Sequence, residues 1–212
     1  IAEKQTEATK VKAENLKLGS VTLIKFNADE AKETLKGAEF KLLREDGKVI
    51  HPILRTDDDG QIFVANLQPG KYKFVETKAP NAFQLNADPI AFELKAVETQ
   101  TVQVKAPNEL VTGNVRLTKT DGTSGEVLAG AVFTLFNEKD EVIKENLTTD
   151  AEGNVLVEDL KPGDYYFVET KAPTDYQLDA EKLTFTIERS GSTEKQKAVT
   201  VSAENELIPG SV

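Results

Sequence analysis

Residues 69–80 read PGKYKFVETKAP, and residues 162–173 read PGDYYFVETKAP. The two stretches differ at two positions and lie 93 residues apart, which makes the chain a duplication. Working outward, GAEFKLL (37–43) returns as GAVFTLF (130–136), and GSVTLIK (19–25) returns as GNVRLTK (113–119). Downstream, VQVKAPNEL (102–110) returns as VTVSAENEL (199–207). Here the offset grows to 97, and the extra residues fall in SGSTEKQK (190–197), a composition suited to a loop. A further echo joins the two ends: EKQTEATKVKAENLKLGSV (3–21) resembles EKQKAVTVSAENELIPGSV (194–212). The chain therefore reads as a two-unit excerpt of a longer tandem array. It opens on the closing segment of a preceding unit and ends as another unit begins.

Within each unit the apolar residues recur with a period of two. Val21, Leu23 and Lys25 share parity, as do Ala38, Phe40 and Leu42; Tyr72, Phe74 and Glu76; and Val102, Val104, Ala106 and Asn108. That period places each set on one face of a strand. Turn signals punctuate the strands: EDG (45–47), DDDG (57–60), QPG (68–70), AEG (151–153) and KPG (161–163). No stretch has convincing helical periodicity, and KAPNAF and KAPTDY read as proline-broken loops. About seven short strands per unit predict an all-β chain of two tandem immunoglobulin-like or prealbumin-like β-sandwich domains. The expected boundaries are 1–17 for the preceding unit or a linker, 18–110 and 111–207 for the two domains, and 208–212 for the start of the next.

The same parity puts polar groups where a core should be. Lys25 follows Val21 and Leu23, Glu76 follows Tyr72 and Phe74, and Asn108 follows Val104 and Ala106. The second unit repeats this with Lys119, Glu169 and Asn205. Burying a lysine or a glutamate costs several kcal/mol unless it is compensated, so the recurrence suggests that the three groups meet. Burial favours the neutral lysine amine, which is a nucleophile. A glutamic acid can hydrogen-bond the asparagine carboxamide through its carbonyl and shuttle protons to departing ammonia. Proximity on a folded scaffold supplies much of the remaining barrier reduction. The expected product is a Lys–Asn amide in each unit, with Glu76 and Glu169 as the catalytic groups, each acting once.

Composition leaves little else. Of 212 residues none is Cys, Met or Trp, and one is His, so disulfides, thiolate chemistry, histidine triads and multi-histidine metal sites drop out together. A formal net charge of −10 opposes binding to nucleic acid or to an anionic membrane surface. Neither a cofactor nor a metal site is expected.

The units, of the form G-S-V-x-L-x-K, G-A-x-F-x-L, P-G-x-Y-x-F-x-E-T-K-A-P and V-x-V-x-x-x-N, resemble the prealbumin-like CnaB/SpaA domains of Gram-positive adhesins and pilins. The resemblance covers nearly the whole chain, and the doubled ETKAP block is its most specific part. It implies that the first-strand Lys25 and Lys119 bond to Asn108 and Asn205, with Glu76 and Glu169 as catalysts. It also implies a stalk segment of an extracellular, wall-anchored surface protein. The expected partners are neighbouring repeats, with any host matrix protein gripped through other domains. An adhesin module and a backbone pilin are the alternatives, although the stretch has neither an LPxTG-type signal nor a pilin-motif lysine. The sequence departs from the pattern in having Ala82 and Asp175 where Gly is frequent, and Pro107 before the first Asn.

Plainer readings exist for each residue. The lysines can snorkel to water, the glutamates can form ordinary ion pairs, and the asparagines can be turn residues. Asn15 fits the closing motif, but its lysine would lie upstream, so it is expected to be unbonded. Asp57, Asp58 and Asp59 read as a hairpin turn rather than a calcium loop, and His51 reads as a surface loop residue. Phe40, Phe74, Phe133 and Phe167 read as core.

Overall fold

The computed structural model describes residues 17–96 and 101–210; Asn15 lies outside them. The described residues form fourteen strands and no helix. In the first sandwich these are β1 (Gly19–Asn27), β2 (Glu39–Arg44), β3 (Val49–Arg55), β4 (Gln61–Leu67), β5 (Gly70–Lys78), β6 (Ile90–Leu94) and β7 (Thr101–Asn108). The second repeats the series with β8 (Gly113–Asp121), β9 (Val132–Asn137), β10 (Val142–Thr148), β11 (Asn154–Leu160), β12 (Gly163–Lys171), β13 (Leu183–Ile187) and β14 (Val199–Asn205). The chain is thus two tandem prealbumin-like sandwiches. Among the described residues, Cα packing groups those up to Lys25, within Thr34–Thr77 and within Ala87–Ala106 as one compact unit, and those within Phe26–Glu33, within Lys78–Asn86 and from Pro107 onward as another.

Each sandwich pairs a three-stranded sheet, ordered β4-β1-β7 or β11-β8-β14, with a four-stranded sheet, ordered β3-β2-β5-β6 or β10-β9-β12-β13. The first and last strands of each unit are therefore neighbours. In the second sandwich β14 runs parallel to β8, with Val201 opposite Leu117, Ala203 opposite Lys119 and Asn205 opposite Asp121. Parallel pairing requires a long crossover, and the rest of the unit supplies it.

The period-two sets point inward. Along β1 and β8 every second residue is buried, and the inner faces of the two sheets form one apolar cluster per sandwich. The duplication extends to ring geometry. Phe40 meets Phe74 edge-on at 6.2 Å, and Phe133 meets Phe167 edge-on at the same distance. Edge-to-face contact sets the positive ring edge against the negative ring face.

Proline placement follows the hydrogen-bond ladder. Pro107 sits in β7 and Pro52 in β3, both at sheet edges where a missing N–H leaves no partner unpaired. Pro107 thus does not interrupt the approach to Asn108. His51, expected in a loop, instead lies in β3 opposite Leu42, because the edge strand tolerates the proline that follows it.

Candidate functional site

The six polar residues singled out by parity are all buried. Lys25 and Lys119 are each 1% exposed, Glu76 and Glu169 3%, Asn108 1% and Asn205 2%. Snorkelling lysines would not be this dry, so that plainer reading does not hold.

Backbone pairing fixes each lysine. Lys25 N–H donates to Gly60 O and Lys119 N–H to Gly153 O, each at 2.8 Å. Both glycines have positive φ, and a Cβ there would lie 2.8 and 2.7 Å from the carbonyl oxygens of Lys25 and Lys119. These turns, DDDG and DAEG, owe their shape to Asp57 and Asp150, whose Oδ1 atoms accept the amides of Asp59 and Gln61, and of Glu152 and Asn154. The acidic triplet therefore serves a hairpin turn, and among the described residues no acidic or histidine cluster could hold a metal.

In the first sandwich Lys25 Nζ lies 3.5 Å from Glu76 Oε1 and donates to Ala106 O of β7 at 3.0 Å. Burial pushes the Lys25 amine down to about 8, with the Glu76 carboxylate pulling in the opposite direction. At pH 7 about one amine in ten is then neutral, against about one in three thousand at the ordinary lysine value. Asn108 Nδ2 donates to the backbone oxygen of Gln84.

In the second sandwich the acid and the carboxamide touch. Asn205 Nδ2 donates to Glu169 Oε2 at 2.9 Å and to Gln177 O at 2.8 Å. Asp179 N–H also donates to Glu169 Oε2, at 2.9 Å. Burial lowers the Lys119 pKa, while Glu169, Asp179 and Glu204 pull it back upward. Lys119 Nζ, Glu169 Oε1 and Asn205 Oδ1 are buried with no hydrogen-bond partner among the described residues. Three such orphans in one core are costly, and a reaction that consumes the amine and its proton would relieve the cost. One detail differs from expectation: Glu169 faces the amide nitrogen, not the carbonyl oxygen. With Gln177 O accepting the other N–H, both hydrogens of the carboxamide are engaged and its carbonyl is left free.

Sequence reading missed the part played by the loop after KAP. Phe83 bridges Leu110, Gln84 N–H donates to Glu109 O, and Gln84 O holds the Asn108 amide. The second copy does the same with Tyr176, Leu207, Gln177, Glu206 and Asn205. A signal was present in the doubled F-Q-L-N-A (83–87) and Y-Q-L-D-A (176–180), but a backbone carbonyl leaves no mark on side-chain identity. The same loop explains the glycine preference. Ala82 and Asp175 hold φ of 72° and 69°, and their carbonyls accept the amides of Val111 and Ile208. A glycine would adopt that conformation without strain.

Comparison with known proteins agrees with this architecture. Residues 5–108 and 113–202 each match the SpaA prealbumin-like fold domain. Among solved structures, the Bacillus anthracis TIE protein is 29% identical with a TM-score of 0.55, over 91% of this chain and 34% of that one. A streptococcal ancillary pilin is 27% identical with a TM-score of 0.41, over 93% of this chain and 64% of the pilin. BcpA, the major pilin subunit of Bacillus cereus, is 17% identical with a TM-score of 0.40, over 91% of this chain and all of BcpA. The chain thus spans about a third of the TIE protein and under two thirds of the ancillary pilin. No curated protein matches the chain significantly. Among the described residues no helix is long and apolar enough to cross a membrane.

Proposed function

Because the chain belongs to the family of SpaA prealbumin-like fold domains, we propose that it is a stalk segment of an extracellular, wall-anchored Gram-positive surface protein, with each sandwich locked by an internal amide bond. The observation that carries this reading is the second-domain constellation: buried Lys119, and Glu169 in contact with the leaving nitrogen of Asn205.

The burial of Lys119 and the Glu169–Asn205 contact support the following chemistry. Neutral Lys119 Nζ attacks Asn205 Cγ; the Nζ–Cγ bond forms and the Cγ–Nδ2 bond breaks. Glu169 takes the proton that Nζ sheds and delivers it to Nδ2, which it already touches, so that ammonia leaves. Desolvation supplies the neutral amine and the sandwich supplies the proximity. Lys25, Glu76 and Asn108 would perform the same steps in the first domain. Each chain reacts once per site, so this is self-processing and not enzymatic turnover.

A bond from Lys25 to Asn108 joins the first and last strands of the first domain. Tension entering at β1 then leaves at β7 without passing through residues 26–107. That segment would otherwise release about 28 nm of chain at roughly 3.4 Å per residue. Neighbouring repeats in series would share the load, and any host ligand would be held elsewhere in the parent protein. Pulling the fragment from its two ends tests the role: no extension step of that size is expected from the wild type, and one step per domain from the Glu76→Ala, Glu169→Ala double variant. Steps of that size in the wild type would overturn it.

A further inference from the structure

The two proposed reaction sites differ in the residues that flank the asparagine. In the second domain a solvent-open pocket lies over Asn205, lined by Gln177, Leu178, Asp179, Glu204, Asn205 and Glu206. Asn205 is 2% exposed, and its Oδ1 has no partner among the described residues. The pocket thus connects solvent to the group that must lose ammonia. Its rim carries three carboxylates, those of Asp179, Glu204 and Glu206. By sequence the first domain has Asn86, Pro107 and Glu109 at the equivalent positions, a single acid.

We propose that the acidic pocket over Asn205 is the port through which ammonia leaves the second domain, and that Asp179 and Glu204 hold cross-linking there back to a higher pH than the first domain requires. This rests on the amide-forming reading above. The balanced step joins a neutral amine and a carboxamide to give an amide and ammonia, and the ammonia takes up a proton from solvent at the acidic rim. Starting from ammonium, Lys119 must first lose a proton, and nearby carboxylates oppose that loss.

Asp179 connects to the site in two ways. Its amide N–H holds Glu169 Oε2 at 2.9 Å, and its carboxylate favours the charged form of Lys119, as Glu204 and Glu169 do. Of the other titratable groups on the elements that carry or pair with Lys119, Asp121 on β8 accepts the Tyr176 hydroxyl and the amides of Thr123 and Ser124. Glu126 and Asp175 lie on adjoining loops, and Asp150 and Glu152 on the turn whose Gly153 carbonyl accepts the Lys119 amide. In the first domain Glu76 is the carboxylate that opposes the depression of Lys25. Asp179 is thus a positioning residue, acting through Glu169 and through the charge state of Lys119.

The test uses the full chain recovered unfolded and unreacted from inclusion bodies, then refolded at pH 5.5 to 9.5. Digestion and mass spectrometry follow each branched peptide separately with time. A one-unit shift in amine pKa changes the neutral fraction tenfold, and exposed carboxylates are screened. Asp179→Asn with Glu204→Gln should therefore raise the second-domain rate about threefold to tenfold at pH 6.5 and little at pH 9.5. Asn86→Asp should slow the first domain in the same pH-dependent way. Asparagine keeps the side-chain acceptor that Asp179 offers to the Glu181 amide, and it stands naturally at 86, so both swaps are tolerated by the loop. Rates unchanged by either swap, or changed equally at every pH, would overturn the proposal. Absence of any branched peptide in any chain would instead sink the amide-forming reading, and this proposal with it.

Discussion

Glu169→Gln tests the proposed chemistry of one domain while leaving the other as an internal control. The substitution keeps the side-chain volume and the carbonyl oxygen that accepts from Asp179 N–H and Asn205 Nδ2, but removes the proposed proton relay. If no bond forms, the loop from Lys119 to Asn205 stays open. Those residues are 205 − 119 = 86 apart, and closing a loop of that length is worth about 4.6 kcal/mol by the chain-entropy relation used for disulfides. Weaker hydrogen bonds to the neutral carboxamide that replaces the carboxylate add about 1 kcal/mol. For a domain of this size each kcal/mol moves the midpoint by about 4–8 °C, so the second domain should melt roughly 20–40 °C lower. Calorimetry on the full chain should show one transition moved and one in place. Intact mass should rise by about 17 Da, one ammonia retained, beyond the change of residue. A variant that still loses both ammonias, or whose second transition stays within about 5 °C of wild type, would refute the role given to Glu169.

Asn108→Ala leaves Lys25 as a free buried amine with a folded-state pKa of about 8 against an ordinary 10.5. The unfolded chain then binds more protons than the folded one between those values, so the first domain should gain stability as pH rises from 8 to 10.5, by about 3 kcal/mol in urea denaturation. A cross-linked wild type would have no amine to titrate and should lack that rise. Gly153→Ala places a Cβ 2.7 Å from Lys119 O at a φ of +73°, and should cost about 2–3 kcal/mol of second-domain stability in the same assay. Ala82→Gly relieves a left-handed alanine at φ 72° and should raise the first-domain midpoint by several degrees, about 1 kcal/mol.

Much of this was legible in the sequence because β-structure has a period of two. That period placed Lys25, Glu76 and Asn108 on core faces, and the duplication showed that the placement was no accident. Burial along β1 and β8 follows it residue by residue. Two kinds of information were not legible. The hold of Gln84 and Gln177 on the asparagine amides runs through backbone carbonyls, which any residue could supply. The orientation of Glu169 toward Nδ2 depends on that hold, so it could not be read from residue types either. His51 was misplaced for a related reason: a proline reads as a break until the strand is known to lie at an edge.

The intact mass of the wild-type chain decides whether the two domains are internally bonded. Two internal amides predict a value below that calculated from the sequence by two ammonias, about 34 Da, with branched peptides joining Lys25 to Asn108 and Lys119 to Asn205. A mass equal to the calculated one in a folded chain would contradict the account.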